Sequence, residues 1–143
     1  MAARSANATW EGSLNEGSGR MALGSGAFEG SYSFQSRFGD EPGPTPEELI
    51  AAAEAGCFTM QLSLNLGEAG HEPESLSTEA KVEMRQTEQG PTISRIDLVT
   101  RGRVPGIDDA GFKEAAEKAK DNCIISRALA GVPEMTLDAT LES

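Results

Sequence analysis

The stretch Thr45-Pro46-Glu47-Glu48-Leu49-Ile50-Ala51-Ala52-Ala53-Glu54-Ala55-Gly56-Cys57-Phe58-Thr59-Met60 opens the longest periodic feature of the chain. Apolar residues recur at Leu49, Ile50, Ala53, Cys57, Met60 and Leu64, the spacing of one face of a helix. The pattern predicts a helix from Pro46 to Leu66. Its start reads as a capping box, with Thr45 as N-cap, Pro46 at N1 and Glu48 at N3. Gly67 and Gly70 supply the stop.

On the N-terminal side the period shortens to two. Thr9–Gly12, Met21–Leu23 and Ser31–Phe38 read as strands, the last carrying Tyr32, Phe34 and Phe38 among polar residues. On the C-terminal side Leu76–Met84 and Thr92–Val104 alternate as two further strands. A second helix is predicted from about Asp109 to Asp121, with Phe112, Ala115, Ala116 and Ala119 on one face and Asp108 or Asp109 as cap. Asn122 breaks it. Cys123–Leu129 reads as a short helical segment and Met135–Leu141 as a final strand. The order βββ-α-ββ-α(α)-β lacks the alternation of a doubly wound sheet. It predicts a single α+β domain over 1–143, with mostly antiparallel strands and helices on one face.

The chain has 143 residues, with 12 Lys+Arg against 23 Asp+Glu and a net charge of −11. That balance argues against nucleic acid, whose phosphates need clustered basic side chains, and against anionic membrane surfaces. Ten acidic and two basic residues fall within 41–91, a run expected to be solvated surface. The N-terminal stretch lacks the apolar core of a signal peptide, and no run of 18 apolar residues occurs. A cytoplasmic protein with no membrane partner is the expectation. No phosphate-binding G-x-x-x-x-G-K-[ST], no G-x-G-x-x-G between strand and helix, and no C-x-x-C is present. Gly24-Ser25-Gly26 reads as a turn. The one histidine, His71, reads as a surface loop residue. Two cysteines are too few for a disulfide scaffold or a Cys-rich zinc site, so neither metal nor cofactor is expected.

Cys57 lies on the apolar stripe of the long helix, where a thiol commonly packs as a small hydrophobe. Cys123 lies at a helix break. A thiol at a helix N-terminus faces unpaired N–H groups and the positive end of the dipole, which favours thiolate. Sequence spacing does not say whether the two meet. If they do, one thiolate can be oxidised to a sulfenic acid and the other can condense with it to a disulfide. Such chemistry needs a cation beside the sulfur, and only Arg4, Arg20 and Arg37 precede Cys57.

Thr45-Pro46-Glu47-Glu48-Leu49-Ile50-Ala51-Ala52-Ala53, followed by Ala55-Gly56-Cys57-Phe58, resembles the N-P-E-[EQ]-L-x-x-A-A…A-C-F signature of the OsmC/Ohr hydroperoxide reductase family. Ser36-Arg37-Phe38, Val104-Pro105-Gly106-Ile107-Asp108 and Ala119-Lys120-x-x-Cys123 also fit. The Arg37 placement and the V-P-G-I segment resemble the osmotically inducible protein C (OsmC) branch. The resemblance implies an OsmC-like fold, a mostly antiparallel sheet packed on a long central helix in an intertwined, obligate homodimer. It implies reduction of organic hydroperoxides and hydrogen peroxide, in a response to osmotic and oxidative stress.

Carried over by motif, Cys57 would be the peroxidatic thiol and Cys123 the resolving one. An external dithiol, such as one of the lipoyl type, would reopen the Cys57–Cys123 disulfide. Arg37 would pair with the Cys57 thiolate, and Glu47 would orient Arg37. Glu48 is occupied in the capping box, which leaves Glu47 free. Ten residues along a straight helix span about 15 Å, so Glu47 and Cys57 of one continuous helix lie far apart. A site shared across a dimer follows, one chain's helix start lying near the other's Cys57. Phe34, Phe38, Phe58 and Met60 are candidates to line an apolar pocket for the peroxide. Ile124 replaces the family's usual proline after the second cysteine, yet keeps an N–H able to point at the sulfur. The rival expectation is a non-enzymatic redox sensor or apolar-ligand-binding module on the same fold.

Overall fold

The structure, a computed structural model, describes residues Met1 to Glu142. They divide into two compact units, Met1–Leu49 and the chain from Ile50 onward.

The first unit is built on an antiparallel sheet of β1 (Ala6–Glu11), β2 (Ser18–Leu23) and β3 (Glu29–Tyr32), in the order β1-β2-β3. Trp10, Gly19 and Tyr32 stand opposite one another across it. A Cβ on Gly19 would fall 2.6 Å from the Trp10 ring and 2.7 Å from the Tyr32 ring. The missing side chain lets those two rings approach to 5.6 Å between centroids.

The strand expected to run through Phe38 stops at Tyr32, and Phe34–Phe38 is the short helix α1. The reason is a cap invisible to periodicity. The Ser36 N–H donates to Ser33 Oγ at 3.1 Å and the Ser33 N–H donates to Ser36 Oγ at 2.8 Å. This reciprocal pair satisfies two N–H groups and turns the chain into a helix. Phe34 and Phe38 then sit one turn apart, their centroids 5.2 Å from each other.

Helix α2 runs from Pro46 to Glu68 and starts where the sequence predicts, the Glu48 N–H donating to Thr45 Oγ1 at 3.0 Å; the other half of the expected capping box, a bond from the Thr45 N–H to the Glu48 carboxylate, is absent among the described residues. Its buried stripe is not the expected one. Glu54, Phe58, Leu62 and Leu66 are buried, whereas Met60 is 77% and Leu64 53% exposed. The bulkier Phe58-Leu62-Leu66 set, spaced by four, wins the core, and the Ala53-Met60-Leu64 side is left outward. By length and composition α2 would also suffice to cross a membrane; here Phe58, Leu62 and Leu66 are enclosed by protein.

In the second unit β4 (Ser75–Thr87) pairs antiparallel with β5 (Gly90–Arg103), with a register shift at Glu83/Met84. α3 (Asp109–Asn122) and α4 (Ile124–Ala128) follow. β6 (Glu134–Glu142) then joins the other edge of β5 in parallel, giving the order β4-β5-β6. The sheets are thus mostly antiparallel with one parallel pair, which the two intervening helices make room for. The Asp108 side chain caps α3, its Oδ1 accepting from the Gly111 N–H at 2.8 Å. Phe58, Leu62 and Leu66 pack with Leu98, Val104, Phe112, Ala116, Ala119 and Cys123. A Cβ on Gly102 would fall 2.7 Å from the Phe112 ring, so that glycine admits α3 close to β5. A chain of hydroxyls pins α2 to the sheet. Thr59 Oγ1 donates to Thr78 Oγ1 at 2.8 Å, and Thr78 and Thr100 are 2.9 Å apart.

Candidate active site

Arg37 and Glu47 meet in the first unit. Arg37 Nη2 and Nε donate to Glu47 Oε1 at 2.6 and 3.0 Å, and Nε reaches Oε2 at 3.3 Å. The last turn of α1 supplies the arginine and the first turn of α2 the glutamate. The capping of α1 is therefore what aims the guanidinium. Arg37 also lies 5.1 Å from the Phe38 ring centroid. A cavity of about 450 Å³ opens beside it, walled by Trp10, Leu14, Tyr32, Phe34, Arg37 and Phe38. Of the four residues expected to line an apolar pocket, Phe34 and Phe38 do so. Phe58 is core and Met60 faces outward.

Cys57 and Cys123 meet in the second unit. Both are free thiols; Cys57 is partly exposed and Cys123 fully buried at the junction of α3 and α4. Cys57 packs against the buried cluster that contains Cys123. The expectation that Cys123 favours thiolate is overturned. Burial first, and then the neighbouring Cys57 thiol, push its pKa up, outweighing the backbone and hydroxyl of Ser126, which pull it down. The groups that pull it down belong to Ser126, where the sequence pointed to the Ile124 N–H. Ile124 is 66% exposed, and Cys123 provides no side-chain cap for α4.

Glu54 departs from the solvated surface expected of the acidic run. It is fully buried, and Ser126 Oγ donates to its Oε1 at 2.5 Å. Oε2 has no partner among the described residues. Desolvation raises its pKa. The four-residue spacing to Phe58, Leu62 and Leu66 was the available signal, hidden because a glutamate does not register as part of an apolar stripe. His71 lies in the loop after α2, beside Gly106.

The family model described as OsmC-like protein matches residues 39–138. The chain belongs to the OsmC-like family. Peroxiredoxin OsmC of Escherichia coli is 44% identical over 137 residues, 95% of this chain and 94% of that protein. The uncharacterized protein YmaD of Bacillus subtilis is 28% identical over 108 residues, 73% of this chain and 72% of that protein. Among solved structures, an OsmC-like protein of unknown function from Vibrio cholerae superposes with a TM-score of 0.77 at 17% identity, covering 97% of this chain and 99% of that one. An organic hydroperoxide resistance protein from Elizabethkingia anophelis gives 0.73 at 24% identity, covering 99% and 98%. The OsmC-like α+β architecture expected from the sequence is the one these neighbours share.

Proposed function

We propose that this OsmC-like chain is a cysteine-based peroxidase that reduces organic hydroperoxides, and hydrogen peroxide, in the cytoplasm. The observation that carries the reading is a partly exposed free thiol, Cys57, packed against the buried cluster that holds the second free thiol, Cys123. Cys57 is open to a substrate, and a second thiol waits behind it. Similarity to a peroxiredoxin at 44% identity supports the same chemistry. The Cys57 sulfur attacks the distal peroxide oxygen, the O–O bond breaks, and alcohol or water leaves. The resulting sulfenic acid condenses with Cys123, releasing water. An external dithiol, such as one of the lipoyl type, then returns both thiols.

Arg37, held by Glu47, is the cation for the Cys57 sulfur of a second copy of the chain. Two features support a shared site in a homodimer. α2 is unbroken from Pro46 to Glu68, so the helix rise separates Glu47 from Cys57 by about 15 Å. The outward stripe carrying Met60 and Leu64 is an apolar face suited to burial against a partner. The aromatic cavity beside Arg37 fits the hydrocarbon part of an organic hydroperoxide.

The test is steady-state consumption of an organic hydroperoxide with a dithiol. Cys57→Ser should abolish it. Cys123→Ser should complete one turnover and then over-oxidise. Multi-turnover activity in Cys57→Ser would overturn the assignment.

A further inference from the structure

Helix α2 carries one ionisable group that the peroxidase chemistry above does not use. Glu54 has no exposed surface and, among the described residues, no cationic partner and one side-chain hydrogen bond, from Ser126 Oγ. Its neighbours on the same stripe are Phe58, Leu62 and Leu66. Burying a carboxyl there with one donor costs stability that an apolar residue would not. Packing therefore gives no reason for it.

Its surroundings do. The Ser126–Glu54 bond ties the start of α4 to α2; Cys123 stands one helical turn before Ser126, and Cys57 stands one turn after Glu54, packed against the cluster that holds Cys123. Glu54, Ser126 and Cys123 are thus buried neighbours in the second unit, with the partly exposed Cys57 beside them. We infer that Glu54, acting through the Ser126 hydroxyl, accepts the proton that Cys123 gives up as the disulfide closes. The inference rests on the disulfide chemistry proposed above.

The step balances with a single proton from solvent. The Cys123 S–H pair forms the S–S bond as the S–O bond of the Cys57 sulfenic acid breaks. The Cys123 proton passes to Ser126 Oγ while the hydroxyl's own proton passes to Glu54 Oε1. The hydroxide leaving the partly exposed Cys57 takes a proton from solvent and departs as water. Sulfenic acid, thiol and that proton give disulfide, water and a protonated Glu54; when the external dithiol reopens the disulfide, the Cys123 thiolate takes its proton back through Ser126 and the carboxylate is restored. The need is real because burial keeps Cys123 protonated, and a carboxyl whose pKa burial has raised is a stronger base once ionised. The titratable groups of this cluster besides Glu54 are the two thiols, Cys57 on the same helix and Cys123 where α3 meets α4. No charged side chain of β4, β5, β6 or α3 contributes to the raised Glu54 pKa among the described residues.

The experiment measures disulfide closure after one equivalent of hydroperoxide, by quenched mass spectrometry, from pH 5.5 to 9. Wild type is compared with Glu54→Gln and Ser126→Ala. Glu54→Gln keeps the shape and an acceptor oxygen but takes no proton. Closure should slow by about 100-fold, the lower range of general-base catalysis, where wild-type Glu54 is ionised and Cys123 is still a thiol, and the difference should shrink toward pH 5.5 as the wild-type carboxyl takes up its proton. Closure in the variant should rise about tenfold per pH unit as Cys123 thiolate forms, converging on wild type at high pH. Ser126→Ala should behave alike, and carries the test if Glu54→Gln does not fold. Closure at the wild-type rate in the variants overturns the relay. So does slowing by the same factor at every pH, which would mark a role in packing alone. Absence of a Cys57–Cys123 disulfide in oxidised wild type would instead defeat the peroxidase reading itself.

Discussion

Replacing Glu47 by glutamine removes the charge that holds Arg37 while leaving the size of the side chain unchanged. Arg37 makes two short bonds to Glu47 Oε1, at 2.6 and 3.0 Å. A hydrogen bond to a charged group contributes about 1.5–3 kcal/mol. The Arg37 side chain is 37% exposed and that of Glu47 11%, so solvent screening reduces the effect to about 1–2 kcal/mol. At about 1.36 kcal/mol per tenfold in rate, Glu47→Gln should slow Cys57 oxidation roughly 5- to 30-fold. Trp10 is the single tryptophan and walls the same cavity as Arg37, so its fluorescence in stopped flow is a direct reporter. The oxidation rate is followed against organic hydroperoxide concentration for wild type, Glu47→Gln, Arg37→Met and the double variant. If Glu47 acts only through Arg37, the double variant is no slower than Arg37→Met. A Glu47→Gln rate within twofold of wild type would refute the reasoning. Fully additive losses would do so too, since they would give Glu47 a role of its own.

Two further outcomes follow from the other face and the core of α2. Met60→Glu with Leu64→Glu places two charges on the outward apolar stripe and should give monomer in sedimentation, with hydroperoxide turnover lost although both cysteines remain; a fully active monomer would sink the shared site. Glu54 titrates above its ordinary value of 4.5 in the folded chain, so the native state holds a proton the unfolded chain has released. Its effect is to make stability fall as pH rises from the unfolded value through the raised folded one. Glu54→Gln should remove that slope in denaturant midpoints taken between pH 4 and 8, and an unchanged slope would contradict burial as the cause of the shift.

Local signals were strong where one element decided its own form. Thr45-Pro46 and Asp108 start α2 and α3 because a cap needs only neighbouring residues. β4, β5 and β6 followed from alternation over seven or more residues. α1 was misread because three aromatics spaced among five polar residues over Ser31–Phe38 imitate a strand, and the Ser33–Ser36 cap that decides it lies in side-chain geometry. The parallel pairing of β6 with β5 was equally out of reach, since alternation carries no direction.

The candidate site divides along the same line. The sequence by itself determined which residues have the chemistry: two thiols, few arginines near the first, and a free glutamate one position into a capped helix. Only the tertiary structure decided which face of α2 is buried, that Cys57 packs against the cluster holding Cys123, and that Arg37 grips Glu47. It also decided that Cys123 is a protonated thiol and not a thiolate, because burial outweighs the donors at the start of α4. Glu54 shows the difference most plainly. As a letter in an acidic run it reads as solvent-facing, and as a side chain it is enclosed beside Ser126. Charge and spacing are properties of the chain, whereas desolvation exists only once other segments have closed around the group.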